Sequence, residues 1–227
     1  MIAWILILMI SLSALPGFSQ DMARADAAIS KYSQSVADMN SVFEAIPKNV
    51  QDKEWVKRKI QHMVDVDQYI RKAGIQDKYS PEEGKYLAEK FRERFSYVDK
   101  SNTKDLKELM KVHGWFRISE FGKETAHFAW LLVQHADRDV PFQKDVLQIM
   151  ERLYPVGEAA PGDYAYLFDR VATNEDRPQR YGTQGKCVGS KKWKPNLLED
   201  GEKVDELRKS MDLGTLEEYK KRIGSCR

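Results

Sequence analysis

The chain has 227 residues, of which 37 are basic and 35 acidic, for a formal net charge of +2. The charges are mixed, and no one-sign stripe is longer than KKWK at Lys191 to Lys194, which argues against nucleic acid as a partner. Less a leader of twenty residues, the chain is long enough for a single compact domain with a sizeable core.

Residues 1–20, MIAWILILMISLSALPGFSQ, have the layout of a secretory signal peptide. An apolar core over residues 2–12 is followed by small and helix-breaking residues and then by charged chain from Asp21. The stretch before the core has no Lys or Arg and relies on the amino terminus for its positive charge. Cleavage after Ser19 places Gly17 and Ser19 at the −3 and −1 positions. The core is shorter than the roughly 20 residues that a spanning helix needs, which favours removal over retention as a membrane anchor. The expected destination is the periplasm or the medium, with no transmembrane domain left after removal.

Residues 21–45 follow a weakly apolar helical pattern through Tyr32, Val36, Met39, Val42 and Phe43, which Pro47 ends. A second helix is expected over residues 54–73, with Trp55, Ile60, Met63, Val66 and Ile70 near the 3.6-residue period and Gly74 as a stop. Its DVDQYIR segment places Asp67, Gln68 and Arg71 near one side. That side reads as a solvated face with an Asp–Arg pair four apart, and His62 as a surface or boundary residue.

Ser80-Pro81-Glu82-Glu83 is a helix start: Ser80 caps, Pro81 takes the first turn and Glu83 closes a capping box. That helix is expected to reach Phe95, followed by a polar linker over residues 99–103 and a short helix over 105–113 that Gly114 breaks.

The central stretch is WFRISEFGKETAHFAWLLVQHAD, residues 115–137, with a helix opening near Ser119. From Ala126 to Ala136 only His127, Gln134 and His135 interrupt an apolar run, so the helix is expected to be buried on all sides. His127 and Gln134 then point into packed protein. An unpartnered imidazole or amide there costs roughly 1–3 kcal/mol, so at least one of the three should find a partner within residues 169–184.

A turn over residues 137–141 leads to a helix over 142–153, stopped by Pro155 and Gly157, and to a shorter helix over 164–171. Residues 174–195, rich in glycine, read as irregular chain with one small hairpin around residues 179–188. A last helix over 216–223 is capped by Thr215 with Glu218 at its third position. The fold class is therefore mainly α, a single helical domain over residues 21–227.

Cys187 and Cys226 are two cysteines in a chain that looks exported, so a disulfide between them is expected. It closes a loop of about 40 residues, worth roughly 4 kcal/mol on the chain-entropy estimate. Two free surface thiols are the alternative.

Gln134-His135-Ala136-Asp137, Gly157-Glu158, the stretch from Ala165 to Arg170 (AYLFDR) and that from Gln179 to Gln184 (QRYGTQ) resemble the signature of the domain of unknown function family numbered 6624. Trp115, Trp193-x-Pro195, Val204-Asp205-x-x-Arg208 and Leu216-Glu217-Glu218-Tyr219 add to the resemblance, which covers residues 67–227. It implies a mostly helical bacterial domain, often exported, and carries no activity. Cys187 departs from the pattern.

The residues that carry chemistry are His127, Gln134, His135, Asp137, Glu158, Asp169, Arg170, Tyr181 and Gln184. One reading is an exported envelope protein that binds a small-molecule, peptide or glycan ligand through them, or uses them structurally. In the structural form Asp169 and Arg170 belong to an internal network that ties the Gly-containing segment to the helices. The other reading is a small hydrolase or transferase in which His135 is general base, Asp137 or Asp169 orients it and Arg170 holds substrate. There is no HExxH, CxxC pair, DxDxDG loop or GxSxG, so no metal, cofactor or serine nucleophile is expected.

Overall fold

The computed structural model describes residues 16–72, 79–188 and 192–223, with side chains from residue 23 onward, that of Lys72 excepted. The apolar core of the expected signal peptide and Cys226 lie outside the described residues.

The described chain is mainly α with one small antiparallel hairpin. In order it forms α1 (Pro16–Glu44), α2 (Lys53–Lys72), α3 (Pro81–His113), α4 (Ile118–Phe121), α5 (Lys123–Gln134) and α6 (Val140–Leu153). A 3-10 turn over Tyr154–Val156 leads to α7 (Pro161–Asn174), then β1 (Gly185–Val188), β2 (Lys192–Pro195), α8 (Val204–Ser210) and α9 (Leu216–Ile223). No helix among the described residues is long and apolar enough to cross a membrane.

α3 is one helix of 33 residues where the sequence suggested two. Its start is as expected, since Ser80 and Glu83 cap one another. The polar stretch after Val98 does not interrupt it, because no Gly or Pro occurs from Lys85 to His113 and the apolar register runs on through Val98, Leu106 and Leu109. The Thr103 hydroxyl bonds back to the Asp99 carbonyl, so this polar side chain is satisfied within the helix.

The helix expected from Ser119 is instead broken at Gly122, whose φ of 82° lies in the region that favours glycine. The short α4 precedes the break and α5 follows it. α5 packs on α2, α3, α4, α6 and α7, with Ala129, Leu132 and Val133 in the core. It is not buried all round. Phe128 and Leu131 are only partly covered, and the His127 side chain is 51 % exposed, so the expectation that His127 points into packed protein is corrected. Helices on the other sides suffice to cover a 12-residue helix, and this edge is left to water.

Two apolar clusters result. The larger spans α2 through α8 around α5, and the smaller joins α1 to the last turns of α2 and the first half of α3 through Ile29, Tyr32, Ile70, Leu87 and Phe91. At the other end, the hairpin pairs Gly185 with Pro195 and Cys187 with Trp193. It begins six residues later than expected. A Cβ on Gly185 would come within 2.3 Å of the Lys194 carbonyl and the Trp193 ring, so glycine permits the close crossing. Residues 179–184 are not strand but a loop wrapped around Asp169. α9 is capped as expected, with Glu218 accepting from the Thr215 amide and Thr215 from that of Glu218.

Candidate functional site

The densest arrangement of ionisable side chains joins α2, α3 and the end of α5. On α2, Asp67 follows Met63 by four residues and precedes Ile70 by three, which puts it on the apolar face of the helix. It is 1 % exposed. Three partners meet there: His135 Nδ1 lies 3.0 Å from Asp67 Oδ1, Arg71 Nε donates to the same oxygen at 3.1 Å, and Gln68 Nε2 donates to Oδ2 at 2.9 Å. Arg71 Nη2 also reaches Asp99 Oδ1 on α3 at 2.5 Å.

Burial pushes the Asp67 carboxyl up, but the bond from His135, the nearby His135 and Arg71 charges and the bond from Gln68 together outweigh it and hold Asp67 below the usual carboxylate range. Asp99 goes the other way, raised by burial against the pull of Arg71. An ionised Asp67 only accepts, so His135 Nδ1 donates and Nε2 is the ring nitrogen left for other work.

Asp67, Asp99 and His135 offer ligand atoms within 4.8 Å of one another, a set that suits a divalent cation. The Arg71 guanidinium already bridges the two carboxylates and supplies that positive charge from within the chain.

His135 also lines a cleft of about 580 Å³ between the second half of α3 and the turn from α5 to α6. Lys100, Lys104, Lys107 and Lys111 contribute from α3, and Arg138 and Asp139 from the turn. Two members of the buried network, Asp99 and His135, therefore also line an open cleft.

The other residues singled out in the sequence fall into separate groups. Asp137 does not hold His135. It accepts from Gln143 Nε2 at 3.2 Å and Asn174 Nδ2 at 3.0 Å, and Arg170 Nε lies 3.5 Å away. Arg170 also donates to Gln134 Oε1 at 3.2 Å, which gives the central helix its partner within residues 169–184. Gln134 is buried with that contact.

Asp169 is fully buried and accepts four bonds, from the amides of Arg180, Tyr181 and Thr183 and from the Thr183 hydroxyl, at 2.8 to 3.0 Å. It is the hub of the QRYGTQ loop and not an orienting group for His135. Gln184 donates to the Thr183 hydroxyl, while the Tyr181 ring packs edge-on against Phe168. Glu158 accepts from the amide and hydroxyl of Ser119 at 3.0 and 2.9 Å and so caps α4.

His127, also expected to bind ligand, stands apart. Its Nδ1 lies 3.0 and 3.1 Å from the two oxygens of Asp163, and its ring stacks on Trp130. The bond that His127 donates to Asp163 raises His127 above its ordinary value against the effect of burial.

Several residues have roles that their place in the sequence does not reveal. The sequence shows Asp67 and Arg71 as a pair four apart and suggests a solvated face, although Asp67 shares the spacing of the apolar positions. Asp99, at the start of the expected polar linker, is instead within α3. Arg208, 1 % exposed, donates to the carbonyls of Gly214 and Tyr181 at 2.6 and 2.7 Å, and Gln179 ties its own amide to Gln184 and Asn196. Both stand in the stretches that carry the family resemblance, but a single long polar residue has no periodicity that would mark its role.

The model of the Family of unknown function (DUF6624) matches residues 54–226, a span that contains the whole of this site. No curated protein and no solved structure matches the chain.

Proposed function

Starting from a chain that belongs to the Family of unknown function (DUF6624), we propose that this protein is an exported ligand-binding protein of the cell envelope. Its site is the cleft where His135 meets α3. The observation that carries this reading is the bond from His135 to the buried Asp67, 3.0 Å long, on a side chain that also lines an open cleft. Fixing one ring nitrogen on a buried carboxylate presets the orientation of the other, as a recognition group requires. The volume suits a small molecule or a short fragment of peptide or glycan. Asp169, Glu158, Gln179 and Arg208 support the scaffold, and Gln134, Asp137 and Arg170 tie α5 to α6 and α7.

The test is native mass spectrometry of the mature protein after exposure to a low-molecular-weight extract of its host's envelope. A retained mass on the natural protein that is missing from a normally folded His135→Gln variant supports the proposal; no retained mass on either contradicts it.

The same pair favours one other reading, a small exported hydrolase or transferase with His135 as general base. In that case Asp67 takes the orienting role that the sequence suggested for Asp137 or Asp169. Catalysis would show as turnover of the retained molecule, lost with His135→Gln.

Export and the Cys187–Cys226 disulfide complete the proposal. Cys187 lies on β1, so a bond to Cys226 would fasten the chain after α9 to the hairpin. Mature protein beginning at Gln20 or Asp21, with no titratable thiol when unfolded without reductant, is the expected result; Met1 retained in the membrane fraction or two free thiols would overturn it.

A further inference from the structure

Three carboxylates line the cleft beside His135, and each already has a cation from its own chain. Asp99 is held by Arg71 at 2.5 Å, Glu108 by Lys111 at 2.7 Å and Asp139 by Lys107 at 2.5 Å. Lys100, Lys104 and Arg138 line the same cleft with no carboxylate within 4.0 Å among the described residues. Lys100 and Lys104 are four apart on α3 and so share a face, with Arg138 on the turn that forms the other wall.

We infer that the cleft selects a small molecule carrying an oxyanion, a phosphate or carboxylate group, held by Lys100, Lys104 and Arg138 next to His135. This inference rests on the ligand-binding reading and gives the chemical class of the ligand.

The physical case has three parts. Cations gathered in one concavity repel one another, and an anion relieves that cost while gaining charge-assisted hydrogen bonds. An arginine and two lysines supply both a planar fork and point charges, the donors that phosphate and carboxylate accept. The cleft holds about 580 Å³, enough for a small molecule, while the near-neutral chain offers no continuing basic stripe for a nucleic acid.

The experiment titrates sodium phosphate, sodium acetate and glucose separately into the isotope-labelled mature protein at constant ionic strength, following backbone amides by NMR. The expected result is saturable shifts at Lys100, Lys104 and Arg138 with phosphate or acetate and none with glucose. The double charge reversal Lys104→Glu/Arg138→Glu should weaken that binding roughly tenfold or more, with the thermal midpoint showing that the variant is folded. Both substitutions are on exposed side chains, so folding is expected to survive; should it not, Lys104→Gln alone serves with the same readout.

Absence of a saturable shift with either anion, or equal affinity in the folded variant, overturns the inference. An envelope molecule retained by both the natural protein and the charge-reversed variant would refute the anionic class and leave the ligand-binding reading standing. No retained molecule together with no anion shift would remove both.

Discussion

His135 and Asp67 are 68 residues apart in the chain and 3.0 Å apart in the fold, imidazole Nδ1 to carboxylate Oδ1. This bond joins the middle of the protein, α5, to α2, and the histidine that makes it also lines the Lys-rich cleft.

Asp67 is buried and its two oxygens serve His135, Arg71 and Gln68, so removing it leaves several polar groups without a partner. Asp67→Ala should lower unfolding free energy by roughly 1–3 kcal/mol, with Arg71 partly relieved by solvent. Asp67→Asn, which keeps the volume and one acceptor, should cost less. Urea unfolding of both variants checks this; a neutral Asp67→Ala would contradict the assigned role.

Asp169 organises the loop from Gln179 to Gln184. In Asp169→Asn one accepting oxygen becomes an amide donor facing backbone N–H groups, and the cost should be at least about 2 kcal/mol. Hydrogen exchange at the amides of Arg180, Tyr181 and Thr183 should accelerate well beyond that of the α5 core. Equal acceleration everywhere would mean that Asp169 supports global stability and not this loop.

Protonated His127 is favoured in the folded state by Asp163, which raises its pKa above the ordinary 6.5. A raised folded value means that the contribution is complete below the unfolded value and is lost as pH rises through the folded one. His127→Gln should therefore lose more stability near pH 5 than near pH 9, by a small amount because the ring is half exposed. Urea midpoints of the two proteins at both pH values test this, and a pH-independent difference contradicts it.

Gly182 has φ of 65°, and a Cβ there would sit 3.0 Å from Leu216 Cδ1. Gly182→Ala combines left-handed strain with a tight contact and should cost about 1–2 kcal/mol by thermal or urea unfolding. A stabilising alanine would show that the loop has another conformation available.

Much of this fold was legible because it rests on local rules. The Ser80 and Thr215 capping boxes, the apolar period of α2 and the stops after α6 each follow from neighbouring residues. The 33-residue length of α3 was not legible, since polar residues after Val98 resemble a linker unless the register on both sides is joined. The site was legible only in half. His135 announced itself inside an apolar run, and Gln134 found Arg170 in the segment expected to serve it. Asp67 did not, because an acidic residue four from an arginine reads as surface pairing, and only packing of α5 against α2 turns it into the buried partner of His135. Asp169 was correctly placed near the Gly-containing loop, but sequence spacing could not choose between orienting a histidine and holding backbone amides.

The central claim is that Asp67 fixes His135 so that its second nitrogen serves the cleft. Long-range proton–nitrogen NMR of histidine-labelled mature protein reads both ring nitrogens of His135 directly. The account predicts a proton on Nδ1 that is lost from its protected environment in Asp67→Ala, and a shift of Nε2 when an envelope extract or phosphate is added. An Nδ1 without a proton near neutral pH, or an Nε2 that stays fixed while a ligand binds elsewhere on the protein, would contradict it.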